Sequence, residues 1–477
     1  NSLIEFYHYL GYCHRCGRAS EICGMGISPG EKLSPADDRG PDRMKPDTSI
    51  ELDLEELSAL QQRLSSGRLE KGDNEILSRV ITAVIFLSKL LQAKNTSIKR
   101  LRKMLFGDKT EKASNVLDKS DESDAGSDKE KFDETANAAI ALLKYGAGVP
   151  FYRLEKFQQS LGIPLPSSTQ WDQMEKSGDK IYPAYNELIR QAAQGDVVYN
   201  DDTTNRVLEL IKENKTKGDD ERTGIFTTGI VSTSGDIKIA IFYTGRRHAG
   251  ENLQALLEKR DPQKDPPIQM ADALSRNVPK DLETILANCL AHARRNYVDV
   301  TWCFPDQCRH VIEILGKVYK NDEIARTQNM SWQQRMQFHQ QNSGPLMDDL
   351  QLWLVTQLDQ KLVEPNSGLG KAIKYMLKHW KKLTLFLSVP AAPIDNNLCE
   401  RILKRVILHR KNALFFRSLF GAYIGDMFMS IIHTCSLMKV NAFDYLVALQ
   451  KHSSQLFANP SQWMPWNYQD AIASIEA

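Results

Sequence analysis

Asp196-Val197-Val198-Tyr199-Asn200-Asp201-Asp202-Thr203-Thr204 is the stretch at which the periodicity of the chain changes. Upstream, apolar residues recur at helical spacing. From here the apolar runs are short, β-branched and aromatic, as strands require. Asp196 to Tyr199 reads as the first strand, Gly224 to Val231 and Ile237 to Tyr243 as two more. The break Ser232-Thr233-Ser234-Gly235-Asp236 between the last two suits a hairpin turn. A helix from Gly250 to Lys259 and a further apolar run, Ile268-Gln269-Met270-Ala271, follow. Asp201 ends the first run and Asp272 the later one. Carboxylates at the ends of neighbouring strands can converge on one point, whereas mid-strand side chains alternate between faces.

Three antiparallel strands, a helix and another strand are the opening of a ribonuclease-H-like fold. The expected class is therefore α/β: a ribonuclease-H-like mixed sheet with a helical insertion, preceded by a helical or coiled-coil N-terminal region. Residues 1–46 read as an irregular extension, 47–112 as a helical leader and 113–135 as an acidic disordered linker. A helical segment spans 136–195, the first part of the core 196–305, a helical insertion 306–392, a glutamate-bearing core helix 393–425 and a helical C-terminal segment 426–477.

In the leader, Leu77, Val84, Leu91, Ile98 and Leu105 recur every seven residues, with Val80, Leu87 and Leu101 between them and Lys94 as the polar exception. The pattern fits a coiled coil, or an amphipathic helix packed on its own domain. Tyr152 to Ser160, the turn Leu161-Gly162-Ile163-Pro164 and a helix capped by Ser167 or Ser168 match a helix-turn-helix reader of DNA, or any helical corner. Trp332, Trp353 and Trp380 are available for a core in the insertion.

Composition limits the function classes. The 477 residues suggest about three domains, and no apolar run approaches the roughly 18 residues of a membrane span. The start, Asn1-Ser2-Leu3-Ile4-Glu5, shows no secretory pattern, and eight scattered cysteines fit a reducing cytoplasm. The net charge of +1 averages an acidic block, Asp118 to Glu134, with a basic one, Arg401 to Arg417. Cys13, Cys16 and Cys23 offer zinc ligands, but a structural site usually needs two close pairs, so free thiols are the alternative.

The third acid is Glu400, in Asp395-Asn396-Asn397-Leu398-Cys399-Glu400-Arg401-Ile402-Leu403, where Leu398, Ile402, Leu403 and Val406 give helical spacing and Asp395 is a natural N-cap. Phosphodiester cleavage needs a water made nucleophilic near neutral pH and charge stabilisation at the leaving oxygen. Two hard cations about 3.5–4 Å apart, held by carboxylates, meet both needs. Arg401, Lys404, Arg405, Arg410 and Lys411 would run beside such a site, where a phosphate backbone passes, or would form an ordinary solvated helix face.

Several ordered blocks resemble the transposases of the insertion sequence 66 family. They are Leu101 to Lys112, Lys144-Tyr145 with Val149 to Arg153, Asp201 to Leu208, Cys289 to Arg295, and Pro393 to Arg401 followed by Arg410-Lys411-Asn412. The resemblance implies a ribonuclease-H-like core and a DDE-type enzyme that cleaves and joins DNA at an element's inverted ends. Asp201, Asp272 and Glu400 match its catalytic acids, holding Mg2+ or Mn2+, two ions in all. Asp202 stands beside them in a supporting place, and His292, Arg294 and Arg295 are expected to contact DNA. The implied partners are double-stranded DNA, further copies of the chain and small accessory proteins encoded by the same element, in a bacterial, nucleoid-associated setting without a membrane. Two features depart from the family pattern: a Cys-rich zinc motif is missing between leader and core, and Leu290 replaces an aromatic. A nuclease without strand transfer and a catalytically idle DNA-binding remnant are the alternative readings.

Overall fold

The computed structural model describes residues 132–218 and 221–476. Cys13, Cys16 and Cys23, the heptads and most of the acidic linker lie outside the described residues. Helices α1 (Glu134–Ala141), α2 (Phe151–Ser160) and α3 (Ser167–Ala192) lead in. Then come β1 (Val197–Thr204), α4 (Leu208–Glu213), β2 (Phe226–Ser234), β3 (Ile237–Gly245), α5 (Ala249–Leu257), β4 (Ile268–Ala271) and β5 (Ile285–Asn288). An inserted group follows: α6 (Leu290–Val298), α7 (Pro305–Thr327), α8 (Trp332–Asn342), α9 (Gly344–Asp359), α10 (Gly368–Lys378) and α11 (Trp380–Leu383). The chain returns to the sheet with α12 (Asn397–Ala413) and α13 (Leu419–Met438), and ends in α14 (Ala442–Lys451), α15 (Ser453–Ala458) and α16 (Tyr468–Glu476).

The strands form one sheet in the order β3-β2-β1-β4-β5. β1 to β3 are antiparallel neighbours, and β4 and β5 run parallel to β1. The β2–β3 turn places Gly235 at φ +56°, a conformation that glycine adopts without steric cost. β1 runs further than its apolar residues indicate. Asp202, Thr203 and Thr204 stay in the ladder because Thr228, Thr227 and Phe226 of β2 face them, so Asp201 lies inside the strand and not at its end. Asp272 does follow the last residue of β4.

The free edge of β3 is closed by side chains. Ala240 N donates to Thr434 Oγ1 (3.0 Å), Phe242 N to Ser430 Oγ (3.0 Å) and Thr244 N to Asp426 Oδ2 (2.6 Å). Four helical residues rise about 6 Å and two strand residues about 6.8 Å, so acceptors four apart on α13 keep step with donors two apart on β3. The edge that would otherwise template strand addition is thereby satisfied.

The described residues form two large apolar cores and a small third cluster of Met270, Ala287 and Cys289. One joins α1, α3, the β2–β3 hairpin, α12, α13 and α14. The other fills the inserted helices and reaches Val197 and Ile268 on the sheet. Trp353 and Trp380 pack against that second core, whereas Trp332 is exposed. Helix α3 begins without a side-chain cap of its own; the Glu155 carboxylate of α2 accepts from Ser167 N and Ser167 Oγ instead. The helix runs for 26 residues, to Ala192.

Helix α12 sits on β2 at Gly229. A Cβ built on Gly229 would lie 2.9 Å from Leu403 Cδ2 and 3.0 Å from Cγ, closer than packed atoms approach. Gly229→Val should therefore cost about 1–3 kcal/mol by overpacking, read as a lowered thermal midpoint. Adding Leu403→Ala should restore part of the loss. A Gly229→Val chain as heat-stable as the parent would show that α12 does not depend on this close approach.

Candidate active site

Glu400 arrives from the inserted side of the sequence and is fixed by its neighbours. Asp395 accepts from Asn397 N (3.0 Å) and Asn397 Nδ2 (2.6 Å), while Asn396 occupies the cap position, one residue later than the sequence suggests. Cys399 Sγ donates to Gly229 O (3.3 Å), and Leu403 covers Gly229. Gly229 is the cross-strand partner of Asp201, so both residues face α12 and its Glu400. The same alternation turns Asp202 to the opposite face. There its carboxylate lies 3.0 Å from His248 Nδ1 and 3.3 Å from Arg276 Nη2. Asp202 reaches the Asp201 side through its backbone N–H, which donates to Asp201 Oδ1 (2.8 Å), and through its charge.

Asp201 records the crowding. Burial pushes its carboxyl up to about 7, and the charges of Asp272, Asp202 and Glu400 push the same way against the Asp202 N–H bond. Glu400 Oε1 is buried and accepts no hydrogen bond from the described residues, and His292 Nε2 stands 3.7 Å from it. A buried carboxylate oxygen without a donor is costly unless a cation or water completes it.

A layer of buried amides, which the sequence reading did not single out, holds the two aspartate strands together. Asn200 Nδ2 donates to Asn277 O (2.7 Å), and Gln269 Nε2 donates to both Asn277 O (2.7 Å) and Asn200 Oδ1 (2.9 Å). Asn277 Nδ2 in turn donates to Asp272 Oδ1, and Asn396 Nδ2 to Asn200 O (3.2 Å). These amides orient Asp272 and tie the start of α12 to β1. Their signal was visible: Asn200 and Gln269 are polar residues inside otherwise apolar strand runs.

Cys289, His292 and Glu400 form a second donor set, with one ligand atom from each lying within 4.8 Å of the others. Burial pushes the Cys289 thiol up to about 11, and its sulfur already takes Asn396 N (3.3 Å). A thiol kept protonated is a poor ligand. The oxygen donors of Asp201, Asp272 and Glu400 suit a hard cation better.

The basic candidates fall into two groups. Arg401, Lys404, Arg405 and Lys411 are exposed along α12. Arg410 is instead tied to the end of β1, donating to Thr203 Oγ1 (3.2 Å), Thr204 Oγ1 (3.1 Å) and Thr204 O. On α6, Arg295 is exposed, and Arg294 is half-buried with its charge acting on Tyr319.

Residues 129–424, more than half of the chain, match the family described as "Transposase IS66 family". Three uncharacterized proteins of Sinorhizobium fredii are similar in sequence. y4jD is 33% identical over 188 residues, 38% of this chain and 36% of that protein. y4hP is 26% identical over 357 residues, 71% and 62% of the two chains, and y4qI is 25% identical over 348 residues, 70% and 62%. The chain thus matches between about a third and three-fifths of the length of these curated relatives. With its ordered motifs and this match over 129–424, the chain belongs to the IS66 family of transposases.

Proposed function

We propose that the chain is a DDE-type DNA transposase whose Asp201, Asp272 and Glu400 hold divalent cations and act on DNA phosphodiesters. The observation that carries the reading is that three carboxylates far apart in sequence come near enough for the charges of Asp272 and Glu400 to bear on Asp201. Structural acids are normally paired with cations, and like charges brought together point to a ligand site. The sheet order and strand directions support a ribonuclease-H-like core. Double-stranded DNA at the element's ends and at the target is the substrate in this reading.

The residues present fit Mg2+ or Mn2+: all three donors are hard oxygens, and Glu400 Oε1 is buried with no hydrogen-bond partner among the described residues. Bound cations would supply an activated water and stabilise charge on the leaving oxygen. The protein's own contribution is placement. Asn277 fixes the Asp272 carboxylate, the Asp202 N–H fixes that of Asp201, and α12 carries Glu400 to the same face. The exposed cations of α12 supply contacts for the phosphate backbone, which position a duplex without reading its sequence. Water attacks in the cleavage step and the released 3′-hydroxyl in the joining step, so no protein nucleophile is needed.

Asp201→Asn and Glu400→Gln should each reduce Mg2+-dependent cleavage of an element-end duplex by at least about 100-fold, because each keeps side-chain shape and removes a metal-holding charge. DNA binding should stay within a few-fold of the parent. Retained cleavage in either variant would place the chemistry elsewhere.

Proton linkage gives a second test, on the metal-free protein. Asp201 has a folded pKa of about 7, above its unfolded value of about 3.9, so the folded state binds the proton more tightly. That contribution to stability is fully present below about pH 4 and is lost as pH rises to about 7. An amide in its place cannot ionise. Asp201→Asn should therefore raise the thermal midpoint at about pH 8 by a few degrees, with little change at about pH 4. A midpoint shift that is the same at both pH values would contradict the burial of this charge.

A further inference from the structure

At its C-terminal end α12 runs into a cleft of about 620 Å3. The size is that of a small-ligand site. Trp171, Phe415 and Phe420 are among its walls, and Lys144, Arg417 and Glu175 also line it. Phe415 and Phe420 are 44% and 48% exposed, two large aromatic rings open to solvent at one cleft. Phe420 meets Trp171 edge to face, with centroids 6.3 Å apart. Phe415 follows a strained turn: Leu414 has φ +69°, and Phe415 N donates to Ala413 O (2.9 Å), the three-residue turn that side chains other than glycine rarely adopt.

Lys144 is the second, independent sign of a ligand. Its side chain is buried, with Nζ 3.2 Å from His409 Nε2 and standing over the rings of Phe151 (5.0 Å) and Tyr145 (5.7 Å). Burial pushes His409 down to about 3, so the imidazole is neutral and brings no counter-charge. Among the described residues no carboxylate lies within ion-pair distance of Lys144. Glu209, at the same cleft, is engaged with Leu419 N (2.7 Å). Burial pushes Lys144 itself down to about 8, so near neutral pH it is still mostly an ammonium, and with rings and a neutral imidazole as its neighbours among the described residues it favours an incoming anion.

We propose that this cleft seats one unstacked nucleobase of a DNA strand, with Lys144 and Arg417 meeting the adjoining phosphates. The inference rests on the chain acting on DNA. Stacking against Phe415, Phe420 and Trp171 accepts any base, because every base has a π face. Glu175 provides an acceptor for an exocyclic amino group, as carboxylates do for cytosine. The exposed basic residues of α12 lead from Glu400 toward the cleft. Fifteen residues of helix and turn span on the order of 20 Å, or roughly six nucleotides of one strand. A strand engaged at the acids can therefore place a base here while its backbone follows α12.

The test uses the full chain, a blunt duplex, and the same duplex with a single-stranded extension carrying 2-aminopurine. The parent should prefer the extended duplex and quench the 2-aminopurine by stacking. Phe415→Ala with Phe420→Ala should weaken binding of the extended duplex by roughly 5- to 150-fold and abolish quenching, with blunt-duplex binding unchanged. Phe420→Tyr, which keeps a ring, should retain both properties. Circular dichroism checks that the variants fold, as the half-exposed positions allow. Equal affinity of the parent for the two duplexes, or equal loss on both in the alanine variant, overturns the proposal while leaving the transposase reading intact. A parent that binds neither duplex overturns both.

Discussion

The close contact of α12 with Gly229 is the constraint on which the rest of the molecule depends. Glu400 lies almost two hundred residues beyond Asp201 in sequence, and an entire helical insertion separates them. Only the absence of a side chain at Gly229 lets Leu403 settle onto the sheet and lets Cys399 reach the Gly229 carbonyl. Because Gly229 faces Asp201 across the ladder, that same contact sets the glutamate on the aspartate's side. The neighbouring helix α13 reinforces the arrangement by closing the edge of β3 with Asp426, Ser430 and Thr434.

The cost of the arrangement is electrostatic. Like charges gathered under a helix oppose folding, and Asp201 shows it by holding its proton to about pH 7. The apolar cores that join α12 and β1 to the surrounding helices must outweigh that opposition. Sites of this kind trade stability for function. The exposed aromatic rings at the far end of α12 and the strained turn at Leu414 are a further cost at the same helix, which is why both ends of α12 are read as functional.

Much of this was legible in the sequence, and the misses have physical reasons. The strand runs, the hairpin break, the inserted helices and the helix bearing Glu400 follow from the change in hydrophobic period. Asp272 at the end of its strand was also readable from that pattern. The true length of β1 was not, because Asp201 to Thr204 are polar and are kept in the ladder by partners on β2, which a local pattern does not contain. Asp202, given a supporting place by the resemblance, touches Asp201 through its backbone N–H, while strand alternation sends its carboxylate to His248 and Arg276. Arg410 belonged to a basic run and is engaged with Thr203 and Thr204, which only the tertiary fold could show. The amide layer of Asn200, Gln269 and Asn277 was visible as polar residues in apolar strands, but its bonding pattern requires the register.

Membership of the IS66 family places the chain among transposases. The most direct measurement of whether the acid cluster is a cation site is Mn2+ binding to the full chain, followed by electron paramagnetic resonance of the free ion. The parent should take up Mn2+, and Asp272→Asn or Glu400→Gln should each weaken uptake by about 10-fold or more, since hard cations are held by the charge and number of oxygen ligands. Uptake equal to the parent's in both variants would contradict the account, because it would put the cation outside the one place where Asp201, Asp272 and Glu400 act together.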